Sequence, residues 1–390
     1  MVTNLTLTQT PTKASIPFNQ PYVDSRVLEY IKKVIESGKI SGDGATCKIV
    51  EQQLRQSFGM KHALLTTSCS HALEMAMMML DLKAGDEVIT PSFTFVSTAN
   101  AIIRGGGKPV FCEVNDQTLT MDVQDFERSI TKKTKAVIPV HYAGVSAEME
   151  NIMEISRVHH LTVVEDAAQG VNAKYKGKFL GTIGDAGAYS FHDTKNFVSG
   201  EGGAFISNNE NLARRAEIIR EKGTNRANFL RGEVDKYTWV DHGSSYILSD
   251  ILAAVLQYQL EIIDEIQQRR ERIHHLYMDG LKELEQAEKL RLPIVPSHCD
   301  TNYHIFYILL RDESERNNLM KKLKEFGVGA TFHYVPLHSS PYAQRMLGTN
   351  GLRLPVTDKI SSTLLRLPIY PQLSDESVRY VIERIRQILS

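Results

Sequence analysis

From residue 63 to residue 165, short apolar runs alternate with longer segments of helical spacing, and this alternation fixes the class of fold. Residues 63–67 read as a strand. Residues 72–82 read as a buried, methionine-rich helix whose methionines are packing groups. After the turn Gly85-Asp86 come a strand over 87–90, a helix over 96–104, a strand over 109–113 and a helix over 123–130. A strand over 136–140, a helix over 149–159 and a strand over 161–165 continue the series. Strand and helix in strict turn is the pattern of βαβ units, which set a mostly parallel sheet between two layers of helices. Two further β-prone runs, 187–191 and 203–207, bring the sheet to about seven strands. Sites in such α/β sheets form at the carboxyl ends of the strands.

The flanks read differently. Residues 1–15 form a loose tail, rich in threonine and without the apolar centre of a signal peptide. Helices are expected over 27–37 and 49–58, separated by a loop bearing Gly38, Gly42 and Gly44. Beyond residue 208 the chain is mainly helical. The segment 247–266 is expected as one long helix, apolar enough to meet a partner subunit. With 390 residues, 42% hydrophobic, the chain has room for two domains. The division is expected at 266/267: a large domain over 16–266 and a smaller one over 267–390. The smaller one would hold a strand over 305–310, a helix over 315–326, a second strand and a last helix over 376–389.

Candidate chemistry sits between the last two strands of the sheet. Ser190-Phe191-His192-Asp193-Thr194-Lys195-Asn196 leads into Gly200-Glu201-Gly202-Gly203. A lysine that must enter a buried site, lose its proton and attack a carbonyl is well placed in a turn held by two strands. Glycines beside it let the backbone approach a bound group. Taken alone, Lys195 reads first as a solvated loop residue. Other strand ends supply companions. Asp166, in Val164-Glu165-Asp166-Ala167-Ala168-Gln169, needs a cationic partner, such as a protonated pyridine nitrogen, unless it caps a helix. Gln169 points to the same side if a helical turn starts there. No G-x-G-x-x-G follows the first strand. Ser68-Cys69-Ser70-His71 fills that turn instead, where hydroxyls and N–H groups hold a phosphate or where a serine merely caps. Phe95, in Pro91-Ser92-Phe93-Thr94-Phe95, can stack on a flat ring or join the core. A lysine, a strand-end carboxylate, a phosphate cradle and an aromatic at one sheet edge are the set that pyridoxal phosphate requires.

From Ile16 to its end the sequence resembles the fold-type I aminotransferases of the DegT/DnrJ nucleotide-sugar family. The resemblance rests on Glu165-Asp166-Ala167-Ala168-Gln169, Ser190-Phe191-His192-x-x-Lys195, Gly200-Glu201-Gly202-Gly203-Ala204, Pro336-Leu337-His338 and Leu367-Pro368-x-Tyr370-Pro371. It implies the α/β fold of those enzymes, with pyridoxal phosphate held by Lys195 as a Schiff base. It implies that Asp166 pairs with the ring nitrogen and that Gln169 lies near the ring hydroxyl. Ser190, Ser70 and the backbone of His71 would hold the phosphate, and Phe95 would stack on the ring. On the substrate side it points to His333, Tyr334 and His338 over the cofactor, and to Arg226 for nucleotide phosphates. Loop packing for the histidines and surface exposure for Arg226 stay open.

Two departures stand out. Cys69 takes the place of a usual glycine. Gly243-Ser244-Ser245-Tyr246-Ile247-Leu248 replaces Gly-x-Asn-x-Arg-Met, whose asparagine reaches the neighbouring subunit's phosphate. Ser245 can still donate one hydrogen bond there. The Ser-Ser-Tyr variant with His-Asp-Thr-Lys-Asn is similar to the branch making dTDP-4-amino-4,6-dideoxygalactose.

The expected activity is therefore amino transfer from glutamate to C4 of a nucleotide-linked 4-keto-6-deoxyhexose, by a homodimer with shared sites. A 3-keto sugar aminotransferase of the same family, a nucleotide-sugar dehydrogenase, against which the absent dinucleotide glycine motif argues, and a regulatory protein that merely holds the cofactor are the alternatives. A net charge of −1 gives no reason to expect nucleic acid or an anionic membrane as partner. No apolar run reaches the length of a membrane span. Cys47, Cys69, Cys112 and Cys299 form no C-x-x-C pair, so neither a zinc site nor a disulfide framework is expected, and reduced thiols in the cytoplasm account for them. His192 has no assigned role.

Overall fold

The computed structural model describes residues 15–390; the expected tail, apart from Ser15, lies outside them. The βαβ series is present: β1 (His62–Thr66), α3 (Cys69–Met78), β2 (Glu87–Pro91), α4 (Val96–Arg104), β3 (Lys108–Cys112), α5 (Val123–Arg128), β4 (Thr134–Val137), α6 (Met149–His159) and β5 (Thr162–Asp166). Helices α1 (Val27–Glu36) and α2 (Ala45–Phe58) precede it. The two-residue strands β6 (Lys174–Tyr175) and β7 (Lys178–Phe179) follow, then β8 (Ala186–Ser190), β9 (Gly203–Ser207) and α7 (Glu210–Arg220). Seven strands make one sheet in the order β1-β9-β8-β5-β4-β2-β3, and β9 alone runs against its neighbours.

Period-two alternation divides the strands between two apolar layers. Leu65, Val163 and Ile206 face a layer built with Val50, Leu54 and Phe58 of α2. Their neighbours Leu64, Val164 and Phe205 face Ala72, Met75 and Met77 of α3 and Ile219 of α7. The methionines of α3 are thus core, with Met75 and Met77 fully buried.

The expected long helix over 247–266 is not continuous. Residues 244–248 lie extended beside the end of β1, Thr67 N–H donating to Tyr246 O at 2.9 Å. After the short helix α8 (Arg226–Leu230), α9 (Asp250–Glu261) begins on a Ser249 cap. It breaks at Ile262, and α10 (Ile263–Gln286) follows. Asp250 explains the late start. Its buried carboxylate turns back to accept from Gly44 N at 2.9 Å and Thr46 N at 3.1 Å, closing the start of α2. A Cβ on Gly44 would stand 2.2 Å from that carboxylate, so glycine is required there.

Helix α10 carries Ile266 into the first layer, and Ile273, Tyr277 and Leu281 into a separate core. That core gathers β11 (Phe306–Leu309), α11 (Glu313–Glu325), β12 (Leu364–Leu367) and α13 (Asp375–Leu389), with β10 (Cys299–Asp300) leading in and α12 (Pro355–Thr363) before β12. All four cysteines are free and buried. Among the described residues no helix is long and apolar enough to cross a membrane.

Glu165 ties β5 to the loop that enters β8. Its fully buried carboxylate accepts from Ile183 N at 2.6 Å, Gly184 N at 2.7 Å, Gly181 N at 2.8 Å and His141 Nε2 at 2.9 Å. His141 Nδ1 in turn accepts from Ala147 N at 3.2 Å, so the ring hydrogen sits on Nε2. Glu165→Gln puts an amide NH₂ among four donors. It is expected to cost about 3 kcal/mol in urea unfolding of the apo-protein. A cost below about 1 kcal/mol would mean that the 181–184 loop is held otherwise.

Candidate active site

The carboxyl ends of β1, β2, β5 and β8 surround a cavity of about 600 Å³. Residues 304–305, 331–335, 366–367 and 369 line it from the C-terminal part of the chain, and Phe18 and Asn19 from the N-terminal segment.

One end is an anion cradle. Ser68 caps α3, its side chain accepting from His71 N at 3.1 Å, and the helical bonding starts with Ala72 N to Ser68 O at 3.2 Å. The N–H groups of Cys69 and Ser70 therefore precede the helical bonds, where an anion is favoured. Ser70 Oγ lies 2.6 Å from Ser97 Oγ of α4, and Ser190 lines the same cavity. Gly203 on β9 makes room for this turn: a Cβ there would stand 2.3 Å from Cys69 N. Cys69 is thus accommodated as the first residue of α3, in place of a glycine, and it is buried.

The other end holds a fixed carboxylate. Asp166 Oδ2 accepts from Thr98 Oγ1 at 2.7 Å, and Oδ1 accepts from Ala168 N at 3.2 Å. Thr98 is itself paired with Thr94, 2.9 Å between hydroxyls. Gln169 Oε1 accepts from Ala143 N at 2.7 Å, which orients its amide so that Nε2 donates to Tyr334 OH at 3.0 Å. Phe95 is the cap residue of α4 and lines the cavity. It is 57% exposed, with its ring centre 6.3 Å from that of Tyr334, so a face is free for a flat ring.

Lys195 reaches the same cavity from the turn between β8 and β9, its N–H donating to His192 O at 2.9 Å. Burial lowers its ammonium below the ordinary lysine value; Cys69 and Asp166 oppose this and Arg366 adds to it. Two neighbouring rings stay neutral. Burial and the nearby cations hold His304 and His333 well below the usual histidine value. His304 Nδ1 lies 2.8 Å from Asn196 Oδ1, and Asn196 Nδ2 donates to Asn302 O at 2.8 Å. The residue after the lysine is thereby tied to the segment that leads into β11. The donor set fits a phosphorylated pyridine aldehyde: an amine for the carbonyl, a carboxylate for the ring nitrogen, an open aromatic face and a helix start for the phosphate.

Lys195, Asp166, Gln169, Ser70, Ser190, Phe95, His333 and Tyr334 are gathered in one cavity. Four expected residues are not. His71 N–H is taken by the Ser68 cap, and its ring packs against Tyr246 at 4.7 Å, away from the cavity. His338 is buried elsewhere, Nδ1 2.8 Å from Ser92 Oγ and Nε2 3.4 Å from Asp358. Arg226 pairs with Glu221 at 3.2 Å, outside the cavity. Ser245 is exposed on the extended 244–248 segment, away from this chain's own cavity. His192 stands at the rim, Nδ1 2.8 Å from Thr194 Oγ1 and Nε2 3.6 Å from Glu201. Ser97, Thr98, Asn196, His304 and Arg366 were missed. Ser97 and Thr98 lie just beyond the Phe95 that was noted, and Arg366 directly precedes the Leu367-Pro368 that was quoted.

The model of the DegT/DnrJ/EryC1/StrS aminotransferase family matches residues 21–386. The spore coat polysaccharide biosynthesis protein SpsC of Bacillus subtilis is 34% identical over 382 residues, 96% of this chain and 97% of SpsC. The aminotransferase TlmJ of Streptoalloteichus hindustanus superposes with a TM-score of 0.88 at 30% identity, covering 96% of this chain and 99% of TlmJ. Spr1654 of Streptococcus pneumoniae, solved in its PLP form, gives 0.87 at 25% identity over 96% and 99% of the two chains. The match runs from the first helix to the last and takes in every strand of the sheet, so the chain belongs to the DegT/DnrJ/EryC1/StrS aminotransferase family.

Proposed function

We propose that the chain moves the amino group of glutamate to C4 of a dTDP-linked 4-keto-6-deoxyhexose, giving a 4-amino-4,6-dideoxyhexose of galacto configuration. The observation that carries the chemistry is a lysine of lowered proton affinity facing the same cavity as a fixed carboxylate. Pyridoxal phosphate is the cofactor, and when bound it supplies the electron sink for the carbanion at the reacting carbon. Lys195 holds it and, once displaced as a free amine, moves the proton at that carbon. Asp166, steadied by Thr98 and Ala168, keeps the ring nitrogen protonated. The start of α3 with Ser70, Ser97 and Ser190 binds the phosphate, Gln169 faces the ring hydroxyl, and Phe95 stacks on the ring. Tyr334 and His333 close the cavity on the substrate side. In this reading residues 16–266 bind the cofactor and residues 267–390 cover it.

The choice of sugar is supported by the likeness of the Ser244-Ser245-Tyr246 variant and His192-Asp193-Thr194-Lys195-Asn196 to the branch making dTDP-4-amino-4,6-dideoxygalactose, and the homodimer by the shared sites of the family. The protein works in the cytoplasm as a homodimer, and exposed Ser245 reaches the partner's phosphate cradle. A surface polysaccharide is the destination of the amino sugar. Purified enzyme given glutamate and dTDP-4-keto-6-deoxyglucose is expected to release 2-oxoglutarate and the galacto 4-amine, identified by mass spectrometry and NMR. Turnover confined to the 3-keto isomer would replace this reading by C3 amination. Cofactor colour that glutamate leaves unchanged would point to a binding role without catalysis.

A further inference from the structure

Arg366 on β12 is a half-buried cation in want of an anion. Among the described residues, it and Lys195 are the two Lys/Arg side chains lining the cavity. Its Nη2 donates to Phe332 O at 3.1 Å, and its guanidinium carbon lies 4.7 Å from the centre of the Phe18 ring. Its Nε is buried without a partner, and among the described residues no carboxylate stands within ion-pair distance of it. The contrast with Arg220 is plain, since that buried guanidinium meets Glu51 at 2.7 Å and Asp43 at 2.9 Å. The Arg366 guanidinium is only partly withdrawn from water, but its buried, unpartnered Nε still calls for a ligand or a reason. Burial depresses Arg366 below the ordinary arginine value, and its charge disfavours the ammonium of Lys195, so the two lie in each other's field. An anion entering the cavity relieves both.

We propose that Arg366 receives the α-carboxylate of the amino-acid donor. The proposal rests on the reading of glutamate as that donor. An α-carboxylate is bonded directly to the reacting carbon, so its receptor must stand beside Lys195. A nucleotide diphosphate is held off C4 by the whole sugar ring, which puts it farther out towards the mouth. Once Lys195 is joined to the cofactor, Arg366 is the Lys/Arg side chain left in the lining among the described residues. Its planar fork suits a carboxylate, with Nε and an Nη offered side by side and the Phe18 ring holding the plane.

The test runs the two half-reactions of the holoenzyme separately, for wild type, Arg366→Gln and Arg366→Lys, by the visible absorbance of the bound cofactor. In the Gln variant the glutamate concentration for half-maximal rate is expected to rise about 100-fold. The Lys variant recovers only part, because a point charge does not replace a fork. The half-reaction with the amino sugar changes by less than about threefold. Calorimetric binding of glutarate, which needs no turnover, weakens with the glutamate response. A larger loss with the sugar than with glutamate overturns the proposal in favour of the diphosphate. Equal losses in both, or no loss, overturn it in favour of a structural role. If wild type takes its amino group from a different α-amino acid, the glutamate reading falls. The same variants titrated with that donor then decide Arg366.

Discussion

Lys195→Ala is expected to lower turnover with glutamate and the keto sugar by more than about 10⁴-fold, because the same side chain holds the cofactor and moves the proton. The two buried rings nearest it do not take over. His304 and His333 are neutral but fixed, one tied to Asn196 and the other 3.0 Å from Tyr142 OH. The phosphate cradle does not involve the lysine, so the variant still takes up pyridoxal phosphate, now displaceable by dialysis. Full turnover with an unchanged absorbance spectrum would remove Lys195 from the mechanism. A second measurement reads the lysine without any reaction. Its ammonium is disfavoured in the folded protein, so the folded state binds fewer protons than the unfolded chain between the lowered value and the ordinary one near 10.4. Stability of the apo-protein therefore carries a penalty below the lowered value. The penalty fades as pH rises to the unfolded value. Apo Lys195→Met is expected to be more stable than apo wild type at pH 7, and the gap in urea midpoint to narrow towards pH 10.

Much of this was legible because the relevant signals are local. The alternation of leucine, valine and isoleucine between the two layers follows from the two-residue period of a strand, and residues 63–65 and 163–164 carry it in full view. Strand ends in a parallel sheet share one edge, so Asp166, Ser70, Phe95 and Lys195 had to meet. What failed were signals that depend on distant partners. Propensity extends a helix back to residue 247, yet residues 244–248 pair with the end of β1 and Asp250 is spent on capping α2. His338 looked available beside Pro336 and Leu337, but Ser92, which binds it, lies 246 residues away. Arg226, expected at the nucleotide phosphates or at the surface, pairs with Glu221 outside this chain's cavity. Thr98 and Arg366 were invisible for the opposite reason: a threonine in a helix and an arginine in a strand carry no mark until a carboxylate is found beside one and none beside the other.

Asp166→Asn is expected to slow both half-reactions by about 10²–10³-fold while leaving the fold intact, since it removes charge and little shape. The site is built for an acceptor on both oxygens. Thr98 donates to one and Ala168 N–H to the other; an asparagine keeps Oδ1 on Ala168 N–H and donates its NH₂ to Thr98, whose hydroxyl can turn its hydrogen to Thr94, so the charge is lost and the contacts are kept. Thr98→Val separates support from charge. It leaves the carboxylate in place without one of its two anchors, and a loss of about tenfold is expected, because orientation and not charge is what it removes. Equal losses in the two variants would mean that Asp166 acts by packing alone. Asparagine within about threefold of wild type would take it off the ring nitrogen altogether. The pH profile adds an independent sign. Asp166 favours the charged form of Lys195, so its neutralisation lowers the ammonium further. Where the free amine of Lys195 must accept a proton, the acid limb of the profile therefore moves to lower pH in Asp166→Asn. A limb that moves upwards would mean that the two groups do not share one field.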